Sequence, residues 1–384
     1  MYILSIVFLI FLVLLKLETK KTNPANIDML SLFVLIFVSA FSYHNGWDSY
    51  NYKGFFDSIV AGGWDVVTTY SLFGLEFGYL TYLYLMSLLT SEYQVVVIVQ
   101  SVFLNVIIFS AIRRLKFNYT LFALLFFSSF FIKFELSTIR QGIAVAIVTL
   151  SYKHLIFQNF RKFTTTILIA SLFHYSALIM LIFYFFNKIN ISRKFAINLA
   201  VFALPAFFLA LMAKDFVFIL LSDSPLSGIP VANKIIAYFS KSNNTGLPLI
   251  QLFSLALYIY FCVFLYDHKD PRSKLTISLF TFLIVIQFYS KMLPSLLLVR
   301  LEYYFIFSQL FIWLLLFEKL SIKNKIPNIL LLIIIIPFFN LYISLRNPYD
   351  RQAYLPYYSY IEFVFFDKKT RSKAALEKLA KGYK

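Results

Sequence analysis

Residues 93–112 read YQVVVIVQSVFLNVIIFSAI, a run without a charged side chain, and Arg113 and Arg114 follow it directly. A helix needs about 20 predominantly apolar residues to cross a bilayer. Similar runs recur along all 384 residues, of which 60% are apolar and 14% are charged. Soluble domains average about 45–50% apolar and about 25% charged residues. The composition therefore excludes a soluble enzyme, a secreted disulfide scaffold and a disordered protein, and it predicts a polytopic membrane protein.

Several runs of this kind are predicted to cross the bilayer as helices. They are residues 2–15, 27–43, 93–112, 119–134, 138–156, 195–212, 248–266, 275–293, 303–317 and 328–345. With two ambiguous runs, they predict an all-α polytopic membrane protein of about 10–12 transmembrane or re-entrant helices. One integral membrane domain would occupy residues 1–366, and a basic tail would follow over residues 367–384.

Two apolar runs do not fit a topology in which successive spans connect opposite faces of the membrane. The run 79–90 would begin and end at the same face, so it is predicted to be re-entrant or to lie in the interface. The run 164–187 joins two basic turns, although it is long enough to cross once. It forms either a hairpin of two half-helices around His174, or a single span that places the turn 188–194 at the outer face.

The charge pattern sets the predicted orientation. Lys and Arg number 35 against 18 Asp and Glu, a net charge of +17, and the basic residues cluster in short turns between apolar runs. This is the pattern of the positive-inside rule, so it calls for no nucleic-acid partner. The segment 44–78 is acidic and is predicted to be an external loop, as are 213–247 and 346–366. The charged residues of the first loop are Asp48, Lys53, Asp57, Asp65 and Glu76.

No metal or cofactor is predicted from the residue types. Cys262 is the single cysteine and lies in an apolar run, so the sequence predicts neither a disulfide nor a thiolate metal site. The four histidines lack ligand spacing, and no Asp-x-Asp motif or phosphate-cradling glycine-rich loop is present. Metal-assisted nucleotide-sugar chemistry and P-loop chemistry therefore have no support.

Arginines at the ends of predicted spans are candidate site residues, because a charge near the bilayer is costly and marks function by default. Arg140 begins one span, Arg300 precedes another, and Arg346 and Arg351 follow the last. All four fall at the outer face in this topology. The planar guanidinium pairs bidentately with phosphate, so together they predict a lipid-diphosphate site. The structural alternative is snorkelling or ion pairing, as between Arg140 and Glu135 or between Arg300 and Glu302.

Three further side chains are candidates for proton transfer. His174 lies within the run Ala170–Leu178, where it is either a hydrogen-bonded packing residue or a general base. Asp48 and Glu76 each stand beside glycine and aromatic residues just before an apolar segment. Their carboxylates either hold sugar hydroxyls and act as bases, or are solvated loop charges. The dense aromatic residues likewise form either an interfacial belt or a stacking platform for sugars.

Several short motifs, taken in order, resemble those of the Wzy-type polysaccharide repeat-unit polymerases, specifically the EpsG-like branch. They are Gly46-Trp47-Asp48-Ser49-Tyr50, Glu76-Phe77-Gly78-Tyr79, Ile139-Arg140-Gln141 with Ala144, His174-Tyr175-Ser176-Ala177-Leu178, Arg300 with Tyr304, and Asn347-Pro348-Tyr349. The resemblance covers about positions 44–350, and the basic tail is not part of it.

The resemblance implies an inner-membrane glycosyltransferase with a GT-C-like architecture and an outer-face cavity, acting at the periplasmic or outer side without a cofactor. Such enzymes make O-antigen or exopolysaccharide from undecaprenyl-diphosphate-linked glycans, and a chain-length regulator protein is an expected partner. The growing chain moves from its lipid onto a lipid-linked repeat unit.

The same resemblance suggests roles for single residues. Arg140 and Arg300, with Arg346, Arg351 or Lys291, would stabilise the diphosphate leaving group in place of a metal. His174, Glu76 or Asp48 would deprotonate the acceptor hydroxyl for an inverting attack. The predicted sugar contacts are Trp47, Tyr50, Tyr79, Gln141, Tyr304 and Tyr349.

Two other functions stay open at this point. A GT-C enzyme that uses a polyprenyl-monophosphate sugar would be marked by metal dependence and single-sugar transfer, with Asp48 and Glu76 at its centre. A lipid-linked oligosaccharide flippase would carry its arginines along a central cavity. Transporters usually consist of two related halves, and the sequence has no visible repeat of this kind.

Overall fold

The computed structural model describes residues 1–18, 24–189, 191–222, 249–319 and 331–366. Its first α-helices are α1 Tyr2–Glu18, α2 Pro24–Ala40, α3 Ser49–Leu72, α4 Phe77–Ser87, α5 Tyr93–Arg114, α6 Tyr119–Ser129, α7 Phe131–Leu136, α8 Ile139–Ile156 and α9 Phe160–Phe173. They continue with α10 Ile179–Phe186, α11 Arg193–Ser222, α12 Leu249–Tyr260, α13 Pro271–Ile284, α14 Ser295–Glu302, α15 Phe307–Lys319, α16 Ile336–Leu345, α17 Pro348–Tyr354 and α18 Tyr360–Phe366. No β-strand occurs in these ranges, which confirms the predicted all-α fold class for them.

Several helices are apolar in the manner of a membrane protein. Tyr93–Arg114 and Arg193–Lys214 are long and apolar enough to cross a bilayer, and shorter apolar helices such as Tyr119–Ser129 accompany them. Many exposed side chains on α11 are themselves apolar, with Leu209 68% and Met212 79% exposed. Soluble monomers rarely leave large apolar patches in water, so this face of α11 is suited to contact with lipid.

The described chain divides into two compact units. The first comprises Met1–Lys153, Leu168–Tyr175 and the described part of Lys319–Lys384, and the second comprises His154–Ile167 and Ser176–Glu318. In the second unit, α11 packs against the π-helical segment Val285–Tyr289 that continues α13. That residues 1–366 form a single membrane domain stays a prediction.

A buried aspartate joins four helices at one end of the first unit. The Asp28 carboxylate on α2 accepts hydrogen bonds from Lys16 of α1, from Arg113 of α5 at 2.9 Å and from Thr120 of α6 at 2.7 Å. Its side chain is 7% exposed. A buried charge is tolerated only when it is paired and hydrogen-bonded, so these contacts hold the four helix ends together.

Two segments predicted to be external meet at the other end of α2. The hydrogen bonds that join them run from Tyr43 N to Tyr358 O at 3.0 Å, and from Trp47 Nε1 to Asp350 Oδ1 at 3.0 Å. Both segments contain helix where loops were expected, because α3 lies within 44–78 and α17 and α18 lie within 346–366. The reason is visible in α3, where Tyr52, Phe56 and Ile59 recur at helical spacing and are buried.

The third predicted external loop, 213–247, also begins as helix. Helix α11 extends to Ser222, ten residues past the predicted end of its span. Residues 216–221, FVFILL, are apolar and favour continuation of the helix, and neither Gly nor Pro occurs between 213 and 222. The rest of that loop and the basic tail over 367–384 lie outside the described residues.

The run 164–187 is the hairpin of two half-helices that the sequence left as one alternative. Helix α9 ends at Phe173, His174 is not helical, and a 3₁₀ turn over Tyr175–Leu178 leads into α10. The chain reverses, since the Tyr184 hydroxyl donates to the Gln158 carbonyl at 2.9 Å. The other ambiguous run forms α4, whose 11 residues measure about 16 Å against a bilayer core of about 30 Å.

Replacing Asp28 tests whether its hydrogen bonds hold the four helix ends together. We expect Asp28→Asn to lower the unfolding free energy of the detergent-solubilised protein by about 3 kcal/mol, because Lys16 and Arg113 lose their shared acceptor. The matched control is Asp57→Asn, whose partner Lys53 lies one turn away in an exposed pair and which should cost under about 0.5 kcal/mol. Equal thermal midpoints for the two variants would contradict the structural role of Asp28.

Candidate functional site

Three helix ends bring together Glu76, Arg140 and His174 in the first unit. Glu76 directly precedes α4, Arg140 lies in the first turn of α8, and His174 directly follows α9. Arg140 Nη1 donates a hydrogen bond to Glu76 Oε2, and His174 Nδ1 lies 3.6 Å from Glu76 Oε1. The side chains of Glu76 and His174 are 7% and 12% exposed, whereas that of Arg140 is 25% exposed. Three of the predicted site residues are thus in contact around one carboxylate.

The helix dipoles indicate that this cluster does more than stabilise the helix ends. A carboxylate is favoured at a helix N-terminus, which is where Glu76 stands, but a cation is disfavoured there. Arg140 nevertheless occupies the first turn of α8. Its charge is therefore supported by Glu76, and the helix end together with the guanidinium favours anions.

Tyrosine rings line the arginine. The Arg140 Cζ atom lies 5.8 Å from the centroid of the Tyr52 ring, within cation–π range. Tyr79, predicted as a sugar contact, packs its ring 5.5 Å from that of Tyr52 and is only 1% exposed. Two buried polar atoms here, Arg140 Nε and Tyr79 Oη, have no hydrogen-bond partner within the protein. Tyr52 was not singled out from the sequence, although its helical spacing with Phe56 and Ile59 was a usable signal.

Close backbone approach at Gly78 holds two of the helix ends together. A Cβ atom at this position would lie 2.8 Å from the Leu172 carbonyl oxygen and 2.7 Å from the Leu172 Cβ. Only glycine lets the first turn of α4 approach the last turn of α9 so closely. Because Glu76 and His174 stand two residues from these points, the contact sets their separation.

Small residues at the start of α8 have the same effect on Arg140. A Cβ atom at Gly142 would lie 2.4 Å from the Phe134 carbonyl oxygen of α7, and Ala144 and Ala146 are fully buried. The small side chains at the start of α8 therefore permit close helix packing. The alternative ion pair of Arg140 with Glu135 does not form, because Arg140 reaches Glu76 on α4 instead.

The other predicted residues of the first unit lie around the joined external segments. Trp47 is bonded to Asp350, and the Tyr50 ring stacks on His44 with centroids 4.1 Å apart and planes 2° apart. The remaining predicted residues here differ in their surroundings. Asp48 directly precedes α3 and accepts a hydrogen bond from Asn51 at 3.4 Å, and Gln141 is buried.

The last three lie near the end of the described chain. Tyr349 belongs to α17, Arg346 is exposed, and the exposed Arg351 donates a hydrogen bond to the Leu345 carbonyl at 3.3 Å.

Three predicted residues belong to the second unit and are described within it. Arg300 lies in the last turn of α14. The Lys291 ammonium lies 6.0 Å from the Phe207 ring centroid, and the buried Tyr304 hydroxyl is 3.0 Å from Ser176 Oγ. Beside them, Glu302 accepts a hydrogen bond from Gln287 Nε2 at 3.3 Å. Across the described residues, no group of three or more His, Cys, Asp and Glu side chains is placed to hold a metal.

Comparison with known proteins identifies one family. The model of the EpsG family matches residues 26–359, most of the chain. No curated protein and no solved structure matches the chain. The matched range includes all the residues of the Glu76 cluster.

Substitution of Gly78 tests the close approach of α4 and α9. We expect Gly78→Ala to cost about 1–3 kcal/mol of unfolding free energy, because the new methyl group overlaps the Leu172 backbone. Gly54→Ala is the control, since nothing lies within 4 Å of that Cβ position in α3, and it should stabilise by about 0.5–1 kcal/mol. A neutral Gly78→Ala in thermal unfolding would show that the two helices can separate freely.

The stack of His44 on Tyr50 predicts a pH dependence. Burial, and to a smaller extent Lys53, lower the pKa of His44 from 6.5 to about 4, and Asp57 opposes them. The unfolded chain therefore binds the proton more readily, so the stability contributed by neutral His44 is lost as pH falls from 6.5 towards 4. We expect the thermal midpoint of the native protein to fall more over this interval than that of His44→Gln. Parallel curves would contradict a partly buried imidazole that stays neutral in the folded protein.

Proposed function

The chain belongs to the EpsG family, and on this premise we propose that it polymerises glycan units carried on undecaprenyl diphosphate. Membership of the family indicates a polysaccharide polymerase role. The observation that carries the proposal further is the contact of Arg140, Glu76 and His174, because it joins a guanidinium, a carboxylate and an imidazole at one place. The product would be an O-antigen or exopolysaccharide.

In the proposed reaction, the growing chain moves from its lipid onto a newly delivered repeat unit. A hydroxyl oxygen of the acceptor sugar bonds to the anomeric carbon of the donor, and the bond from that carbon to the diphosphate oxygen breaks. The hydroxyl proton passes to the enzyme, and undecaprenyl diphosphate leaves as the anion. Attack from the side opposite the leaving group inverts the anomeric centre.

His174 is proposed as the general base. Its Nδ1 faces Glu76 Oε1 at 3.6 Å, so the opposite ring nitrogen, Nε2, is the atom that takes the proton. The imidazolium formed in this step would be stabilised by the nearby carboxylate, as in catalytic carboxylate–histidine pairs. Glu76 already accepts from Arg140, which suits it to orienting its two partners better than to acting as the base. Asp48 stays the other proposed base.

Arg140 is proposed to stabilise the negative charge that develops on the diphosphate. Glu76 engages one of its terminal nitrogens, and the buried Nε–H has no acceptor within the protein. An anionic ligand oxygen would supply that acceptor and remove an uncompensated desolvation cost. Arg300 and Lys291 of the second unit, with Arg346 and Arg351, are proposed as further diphosphate contacts.

The proposed setting is a bacterial inner membrane, with the site at the periplasmic or outer face. Lipid-linked glycans are presented at a membrane surface, and the cluster lies at helix ends rather than at helix midpoints. A GT-C-like architecture with a cavity at that face, and a chain-length regulator as partner, belong to the same proposal. Trp47, Tyr50, Tyr79, Gln141, Tyr304 and Tyr349 are proposed to contact the sugars.

Reconstitution tests the proposal directly. The purified protein in liposomes, given a lipid-diphosphate-linked repeat unit without nucleotide or metal, should yield a ladder of polymer on a gel. We expect Arg140→Ala and His174→Gln to lower the rate by about 10²–10³-fold, since each removes about 2.7–4 kcal/mol of transition-state stabilisation. Arg140→Lys should also be impaired, because an ammonium lacks the planar fork.

Exposed residues of the same type provide matched controls. Arg114→Ala and His268→Gln alter exposed side chains and should leave the ladder unchanged. Full polymer from Arg140→Ala or His174→Gln would contradict the assigned roles. Intact substrate that has only crossed the bilayer would favour a flippase, and metal-dependent transfer of a single sugar would favour a monophosphate-dependent enzyme.

A further inference from the structure

A second buried carboxyl group, Glu135, lies in surroundings unlike those of Glu76. It belongs to α7 and is 5% exposed. No ion pair joins it to a Lys, Arg or His side chain in the described ranges. A buried carboxylate without a cation is costly, and such groups usually take up a proton instead. The hydrogen bonds around Glu135 show whether its carboxyl group must carry a proton.

Glu135 ends a chain of three short oxygen–oxygen contacts. Its Oε2 lies 2.8 Å from Ser39 Oγ, Ser39 Oγ lies 2.8 Å from Ser101 Oγ, and Ser101 Oγ lies 2.7 Å from the Val97 carbonyl oxygen. All three distances are typical of O–H···O hydrogen bonds. Each contact needs one hydrogen atom, so the chain needs three.

The two serine hydroxyls supply only two of these hydrogens, and the Val97 carbonyl supplies none. If Glu135 were ionised, one of the three contacts would bring two oxygen atoms together without a hydrogen between them. If Glu135 carries a proton, it donates to Ser39, Ser39 donates to Ser101, and Ser101 donates to Val97. Every contact is then a hydrogen bond.

We propose that Glu135 and the hydroxyls of Ser39 and Ser101 form a proton-binding site, in which Glu135 is a neutral carboxylic acid at neutral pH. The site faces a cavity of about 30 Å³, which is large enough to hold water. Two buried acceptors of its lining residues, Glu135 Oε1 and Gln100 Oε1, have no hydrogen-bond partner within the protein. The side-chain amide of Asn105 also faces Glu135. A water molecule in the cavity can donate a hydrogen to such an acceptor.

No cation on the cavity wall replaces the proton. The titratable side chains that line it, apart from Glu135, are Tyr43, His44 and Tyr93, and Tyr119 also faces Glu135. The tyrosines carry no positive charge. Burial keeps the pKa of His44 near 4, so its imidazole is neutral at neutral pH.

The site also supports the start of α8. Helix α7, which carries Glu135, ends at Leu136, and the Phe134 carbonyl is in close contact with Gly142. A negative charge in this cavity would repel the carbonyl oxygens around it and loosen that junction. The inference rests on the hydrogen-bond geometry and does not depend on the proposed polymerase activity.

Infrared difference spectroscopy of the full-length protein at neutral pH tests the proposal. Between the native protein and Glu135→Gln, we expect loss of one carbonyl stretch of a protonated carboxylic acid and no loss of a carboxylate band. The control Glu92→Gln changes an exposed glutamate and should remove a carboxylate band instead. Loss of a carboxylate band in Glu135→Gln would overturn the proposal and indicate an ionised group held by a bound cation.

A second variant serves if Glu135→Gln does not fold. In Ser39→Ala the acid loses the oxygen to which it donates, so its carbonyl stretch should move to higher frequency while remaining in the protonated region. Ser128→Ala is the control, because Ser128 is buried but bonds to the Leu125 carbonyl instead. An unchanged protonated-acid region in Ser39→Ala would contradict the hydrogen-bond chain.

Discussion

The Glu76 carboxylate is the shared acceptor on which the arrangement of the candidate site depends. It faces a guanidinium on one oxygen and an imidazole on the other, and these groups come from the ends of three different helices. Because it stands at the N-terminus of α4, the helix dipole favours its charge. Without it, Arg140 would be a partly buried cation at the positive end of α8. Packing at Gly78 and Gly142 then brings the backbones close enough for short side chains to meet.

Among its described residues, the first unit contains three buried carboxyl groups, and each has partners of a different chemistry. Asp28 is surrounded by two cations and a hydroxyl, so its role is structural: it holds four helix ends together. Glu76 has one cation and one group that can become a cation, so its environment can change charge. Glu135 has hydroxyl neighbours and no ion pair among the described residues. The role of a buried carboxyl group therefore depends on its partners. They determine whether it holds helices together, belongs to a functional site or carries a proton.

The sequence predicted the helical class and most of the candidate residues, but not how they pair. Hydropathy and charge are local properties, so they indicated apolar helices and offered a hairpin around His174 as one of two alternatives. The acidic segment 44–78 was assigned to a loop because its charges outweighed the helical spacing of Tyr52, Phe56 and Ile59. The nearby Glu135 was the ion-pair alternative that the sequence offered for Arg140, whereas its partner Glu76 lies 64 positions away. Contacts at such separations depend on backbone approach, which a single sequence does not encode in any local pattern.

The hairpin formed by α9 and α10 has a consequence for membrane topology. A hairpin that enters and leaves at one face adds an even number of crossings, so the helices after it keep the orientation that they would have without it. With the spans predicted from the sequence, a single crossing there would make the number of crossings between residues 42–50 and 346–360 odd, and the two segments would lie on opposite faces. Those two segments are hydrogen-bonded to each other. In that predicted topology, the break at His174 therefore keeps the number of crossings even and lets the two segments meet at one face.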